Sequence, residues 1–242
     1  MSTVSDIMDA LVGCCLERAP LEAQPTTPLP AAAAPDQQAG EIALWAGSCG
    51  ASLDRLVRIR LSAGPVETQM LWLFGVEDSA VPHYHAQLVS MPGGRFVHNV
   101  DLLPRVDLAL HPDYTAEVFA PLTQPRAELV GNAEFACSRG GVPPSMAVFL
   151  SPWGVLGAGA SLAEVEQARA LFQRYLEHVL DLAQGMKSAP GAQELQARHA
   201  ALVAAHTNED LDKRAWGGTR RMVGDDGVQA IQRALRESRR LT

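Results

Sequence analysis

Residues Pro82–Pro104 read PHYHAQLVSMPGGRFVHNVDLLP, two short strand-like runs on either side of a Met-Pro-Gly-Gly turn. The first run carries His83, His85 and Gln87 at every second position, and strand alternation puts all three on one face of a sheet. Two imidazoles and an amide side by side each need a hydrogen-bond partner or water. That face is therefore a candidate binding surface; a solvated sheet face is the plainer alternative.

Upstream of this segment, Glu41–Ala46, Arg55–Ser62 and Thr68–Val76 read as strands separated by Gly47, Gly50, Gly64 and Pro65. With the two runs of Pro82–Pro104 they make about five consecutive sheet elements without an intervening helix, the pattern of an antiparallel meander rather than of βαβ units. Before them, Ile7, Met8, Leu11, Val12 and Cys15 recur at helical spacing within Val4–Leu16, with Ser5 as a cap, and Pro20–Gly40 reads as an irregular Pro- and Ala-rich connector. Pro112–Ala120 fits a helix or an extended run. Ser161–Gly185 is a long amphipathic helix that opens on a capping box, Ser161 with Glu164. Gln193–Ala205 and Val228–Ser238 are further helices around a polar link, Thr207–Gly227. The expectation is a single α+β domain over residues 1–242: a helical lead-in and connector (1–40), a sheet meander (41–104) and a mainly helical part (161–242).

Composition excludes several classes. At 242 residues, 19% charged and net charge −7, the chain is globular and poorly suited to nucleic acid. No apolar run reaches the roughly 20 residues of a membrane helix, and the N-terminus lacks the layout of a signal peptide, so the expected location is the cytoplasm. Cys14, Cys15, Cys49 and Cys137 have no metal spacing and are expected as free thiols. From Lys213 to Thr242 eight basic residues face three acidic ones, a local basic patch that would attract an acidic protein or an anionic ligand, or a solvated helix surface. No phosphate-cradling or dinucleotide-binding glycine motif is present, and Ser151 lacks a nucleophile elbow. His83 and His85 have no third ligand at characteristic spacing, so no metal site is expected.

The order of elements, the segment P…Y…QLV-x-x-PGG…VDLLP, Ser-Pro-Trp-Gly at Ser151–Gly154 and the late Asp212-Lys213 before a basic helix resemble the ferredoxin-dependent bilin reductases and the related chlorophyll-catabolite reductases. Members of that family read approximately P-L-F-G-C-D-I-V-x-x-PGG…ADLSP, then P-P-W-G and N-D-K-T-R-R. The resemblance implies a three-layer α/β/α sandwich, with a central antiparallel sheet flanked by helices. It also implies an open-chain tetrapyrrole between the sheet and the C-terminal helices. Electrons would come singly from reduced ferredoxin, with no cofactor bound.

The departures are specific. Gln87 stands where many members carry a proton-donating Asp, and an amide is no acid. Met70 and Arg60 stand where some have His and Glu. The family's late Asp corresponds to Asp212, with Asp210 as a competitor. The expected site therefore uses His85 and Asp212 as proton donors, Gln87, His83 and Met70 as ligand contacts, and Arg58 and Arg60 as partners of the ligand's carboxylates. The alternatives are a non-catalytic carrier of a bilin or of haem, with His85 as axial ligand, and an unrelated module on the same scaffold.

Overall fold

The computed structural model describes residues 4–131 and 142–238. Helix α1 (Val4–Arg18) leads into β1 (Leu21–Ala23), β2 (Thr27–Ala31) and a long β3 (Ala34–Gly47). Strands β4 (Leu53–Ala63), β5 (Val66–Gly75), β6 (His83–Met91) and β7 (Arg95–Leu103) follow as an antiparallel meander. Short helices α2 (Pro112–Val118), α3 (Ala120–Val130) and α4 (Pro144–Ala147) precede β8 (Val155–Ala160). The chain ends in α5 (Leu162–Gly185), α6 (Ala192–His206) and α7 (Lys213–Arg236). Strand order is β1-β3-β4-β5-β6-β7-β8, with β2 also paired to β3, and every pairing is antiparallel.

Alternation gives the sheet two apolar faces. Leu56, Leu71, Leu73, Tyr84, Ala86, Leu88 and Leu102 point to one side and pack under Ile7, Met8 and Leu11 of α1 and Leu171, Phe172 and Leu176 of α5. Val57, Ile59, Leu61, Trp72, Phe74 and Leu103 point to the other, under Trp216, Val223, Ile231 and Leu235 of α7 and Leu202 of α6. This is the three-layer α/β/α sandwich that the resemblance implies. Ser161 and Glu164 form the expected capping box: Glu164 N–H donates to Ser161 Oγ at 3.4 Å and Ser161 N–H to the Glu164 carboxylate at 2.6 Å.

Two segments differ from their sequence reading. Pro20–Gly40 is not an irregular connector but supplies β1, β2 and the start of β3. Pro28 and Pro30 sit on β2, an edge strand, where a missing N–H is tolerated. Thr207–Gly227 is mostly helix: α7 begins at Lys213 and continues past Gly224, whose φ of 70° marks a kink. At the far end of α7, the fully buried Arg55 donates to the carbonyls of Ala234 and Leu235 and lies 3.9 Å over the Phe74 ring. A cation on the last carbonyls closes the helix with favourable charge. Cys14, Cys15 and Cys49 are free thiols; Cys137, Arg239 and Arg240 lie outside the described residues. Among the described residues, no helix is long and apolar enough to cross a membrane.

Candidate functional site

The hairpin β6–β7 turns through Pro92-Gly93-Gly94, where both glycines have positive φ (78° and 67°) that only glycine adopts at little cost. The turn fixes the register, and the register fixes which side chains meet. Directly opposed residues share a face, so the α7 side of the sheet carries one row of Met70, Gln87 and Asn99 and a second of Trp72, His85 and Asp101. His83 opposes Leu103, with Phe74 at its side, in a third. Gln87, Asn99, His85 and Asp101 of the first two rows form the floor of a cavity of about 240 Å³. Its walls come from Val142–Ala147, the Leu150–Leu156 segment, His206 at the end of α6 and Asp212 at the start of α7.

Each wall has a local cause. Asp101, buried to 1% exposure, accepts the Ser151 N–H at 2.8 Å and the Ser151 hydroxyl; Trp153 N–H donates to Ser151 Oγ at 3.1 Å. The Ser-Pro-Trp-Gly turn is thus wrapped around the Asp101 carboxylate. Gly154 permits this approach, because a Cβ there would lie 2.9 Å from Asp101 Cγ. Asp212 is the N-cap of α7, accepting the Ala215 N–H at 3.0 Å, and still borders the cavity. Asp210 is exposed, 3.5 Å from Lys213 Nζ and away from the cavity. Of the two acids, the fold brings Asp212 to the site.

The imidazoles have fixed tautomers. The Asn99 amide nitrogen lies 3.2 Å from His85 Nδ1, and because it can only donate, the neutral His85 carries its proton on Nε2. The His206 Nδ1 lies 2.9 Å from the Leu202 carbonyl, which can only accept, so His206 Nε2 is a bare acceptor. Among the described residues, His85 Nε2, His206 Nε2 and Trp72 Nε1 are buried without a hydrogen-bond partner. His85 stacks on Trp72 at 3.8 Å between ring centroids. Burial drives its pKa well below the ordinary value, with nearby His206 adding to the effect. His206 falls to about 4, again chiefly through burial, partly offset by its bond to Leu202 and by Asp212.

His83 sits elsewhere. Gly75 N–H donates to its Nδ1 at 3.1 Å, so His83 Nε2–H donates to His199 Nδ1, also at 3.1 Å. Both ring nitrogens are used to tie the β5–β6 connection to α6, and His83 does not border the cavity. Met70 lies in the row of Gln87, packed against the α7-side core and off the cavity wall. Arg58 and Arg60 differ from expectation in a simple way: alternation does place them on a common face, but it is the opposite face of the sheet. Arg58 Nε and Nη2 bond Gln69 Oε1 at 3.1 and 2.7 Å, and Nη1 pairs with Asp9 of α1. Arg60 is half-exposed, 3.4 Å from Glu41. Neither reaches the cavity. Asn99, Asp101 and His206 do, three residues that the sequence pattern does not single out. Among the described residues, no group of three or more His, Cys, Asp or Glu side chains is placed to hold a metal ion.

No family model matches the sequence, and no curated protein matches it significantly. Among solved structures, the chain is similar to phytochromobilin synthase from tomato in complex with biliverdin. The TM-score is 0.76 at 12% identity, over 96% of this chain and 82% of that one. The likeness is one of fold, the large antiparallel sheet between helical layers described above.

Proposed function

We propose that the cavity on the α7 side of the sheet binds a bilin or related linear tetrapyrrole, and that the protein reduces it with electrons from reduced ferredoxin. The observation that carries this reading is the convergence of His85, Gln87, Asn99, Asp101, His206 and Asp212 on one cavity of this fold. Reducing one double bond takes two electrons and two protons. Ferredoxin supplies only electrons, so the protein must supply the protons. His85 and the half-buried Asp212 are the donors in this reading, His85 only after it has taken a proton from solvent and become an imidazolium; both are recharged from solvent, while the Gln87 and Asn99 amides orient a pyrrole ring. The ligand's carboxylates point toward solvent, since Arg58 and Arg60 lie behind the sheet. Gln87, in the place of an acid, favours a second reading in which the same cavity binds the pigment without turnover.

Anaerobic mixing with biliverdin, followed by reduced ferredoxin, separates these. Reduction predicts a shifted bilin band that then moves to shorter wavelength through a transient radical. His85→Gln and Asp212→Asn should each retain the binding shift and lower turnover about 10²- to 10⁴-fold, the scale of a lost proton donor. A stable shift without turnover in the wild type favours the carrier. No shift contradicts both bilin readings.

A further inference from the structure

A second, smaller cavity of about 10 Å³ lies on the same sheet face, bordered by Trp72, Phe74, His83, Leu103 and Leu202, and by His206. Among the described residues, His206 alone borders both cavities. The floor beneath them is continuous: the Gln87 row, the Trp72–His85–Asp101 row and the Phe74–His83–Leu103 row are successive steps along β5, β6 and β7. The middle row serves both: His85 and Asp101 line the larger cavity and Trp72 the smaller. There His206 stands edge-on to Trp72, with ring centroids 5.0 Å apart, and 6.4 Å from the His85 ring.

We propose that the two cavities are halves of one elongated ligand slot, and that His206 is a gate which the ligand displaces, extending the site onto Trp72, Phe74, His83 and Leu103. This rests on the tetrapyrrole reading and names the part of the site that reading leaves out. Three observations support it. The closed gate leaves Trp72 Nε1–H and His85 Nε2–H, on side chains 5% and 7% exposed, without acceptors, and His206 Nε2 without a donor. Buried donors and acceptors left unsatisfied weigh against that state. A ligand carbonyl over the middle row accepts from both the indole and the imidazole. That chemistry selects a long, flat, conjugated molecule with a carbonyl-bearing ring, such as the lactam ring of a linear tetrapyrrole.

The second observation is how His206 is held. Its single hydrogen bond is to Leu202, within its own helix, and none runs to the sheet. The backbone beside it is fixed: Gln232 and Arg236 of α7 donate to the Thr207 carbonyl at 3.1 and 3.2 Å. Opening is therefore a side-chain swing at a fixed helix end. The third is size. The small cavity holds about one water, and a ring can enter it only when the imidazole leaves. Pockets of this kind are minor states that a ligand makes dominant.

The test is stopped-flow absorbance of biliverdin binding, together with solvent exchange of the Trp72 indole N–H by NMR. His206→Ala should speed both association and exchange at least about tenfold. His206→Phe keeps a ring in the partition and should stay within about twofold of wild type in both. Equal association rates for wild type and His206→Ala overturn the gate, as does a Phe variant as fast as the Ala variant. If wild type binds no biliverdin, the tetrapyrrole reading fails, and exchange alone decides the gate: faster in His206→Ala supports it, unchanged overturns it.

Discussion

Lowering the pH from 7.5 to 4 should unfold this protein steeply, with a midpoint between about pH 5.5 and 4. His83, His85, His98 and His206 are buried as neutral rings, the first two far below the ordinary pKa and the last two near 4. In the unfolded chain each titrates near the usual 6.5. A depressed histidine pKa means the unfolded state binds the proton first. Stability is therefore full above pH 6.5 and is lost as pH falls toward 4. Each group removes about 1.4 kcal/mol per pH unit across that window, and four acting together remove on the order of 5 kcal/mol per unit. A domain stable by about 5–15 kcal/mol can absorb about one to three such units. Circular dichroism against pH, at fixed ionic strength, reads this directly. A protein whose melting temperature is flat from pH 7.5 to 5 would show that these rings are not held neutral.

Arg105→Met should cost on the order of 3–4 kcal/mol of stability, the scale of breaking a buried charged network. Arg105 is fully buried, and burial lowers its pKa only to about 10, so it stays charged at neutral pH. Its guanidinium donates to the carbonyls of Val76 at 3.0 Å, Glu77 at 2.7 Å, Val81 at 3.4 Å and Leu195 at 3.3 Å. One side chain thus stitches the β5–β6 connection to the start of α6. Methionine fills much of the volume and removes all four of these bonds. Because α6 carries His199 and His206, the loss also loosens the helical side of the cavity. Chemical denaturation measures the cost. A change below about 1 kcal/mol would mean that water replaces the guanidinium without penalty.

The meander was legible because its signals are local. Alternation in His83–Leu88 and the glycine turn at Gly93-Gly94 suffice to propose the hairpin, and Ser161 with Glu164 marks the start of α5. Proline hid β2, since the edge of a sheet tolerates what a central strand does not. Glycines hid the first half of α7: Gly217, Gly218, Gly224 and Gly227 weaken a helical reading that the buried Trp216 and Val223 enforce through packing. The site shows the same division. Asn99 and Asp101 follow by arithmetic from the hairpin, as the partners of Gln87 and His85. Alternation told that Arg58 and Arg60 share a face but not which one, and Gln69 with Asp9 answers that only in three dimensions. His206 meets His85 across 121 positions of chain, a contact with no local signature.

The most direct test of the central claim is an equilibrium absorbance titration of biliverdin into the wild type and into Asn99→Trp, whose indole would fill the cavity above the Gln87 row. The account predicts a saturable one-to-one spectral shift in the wild type, weakened at least about tenfold in a variant with unchanged circular dichroism. A wild type with no shift, or a variant that binds as tightly as the wild type, would contradict it.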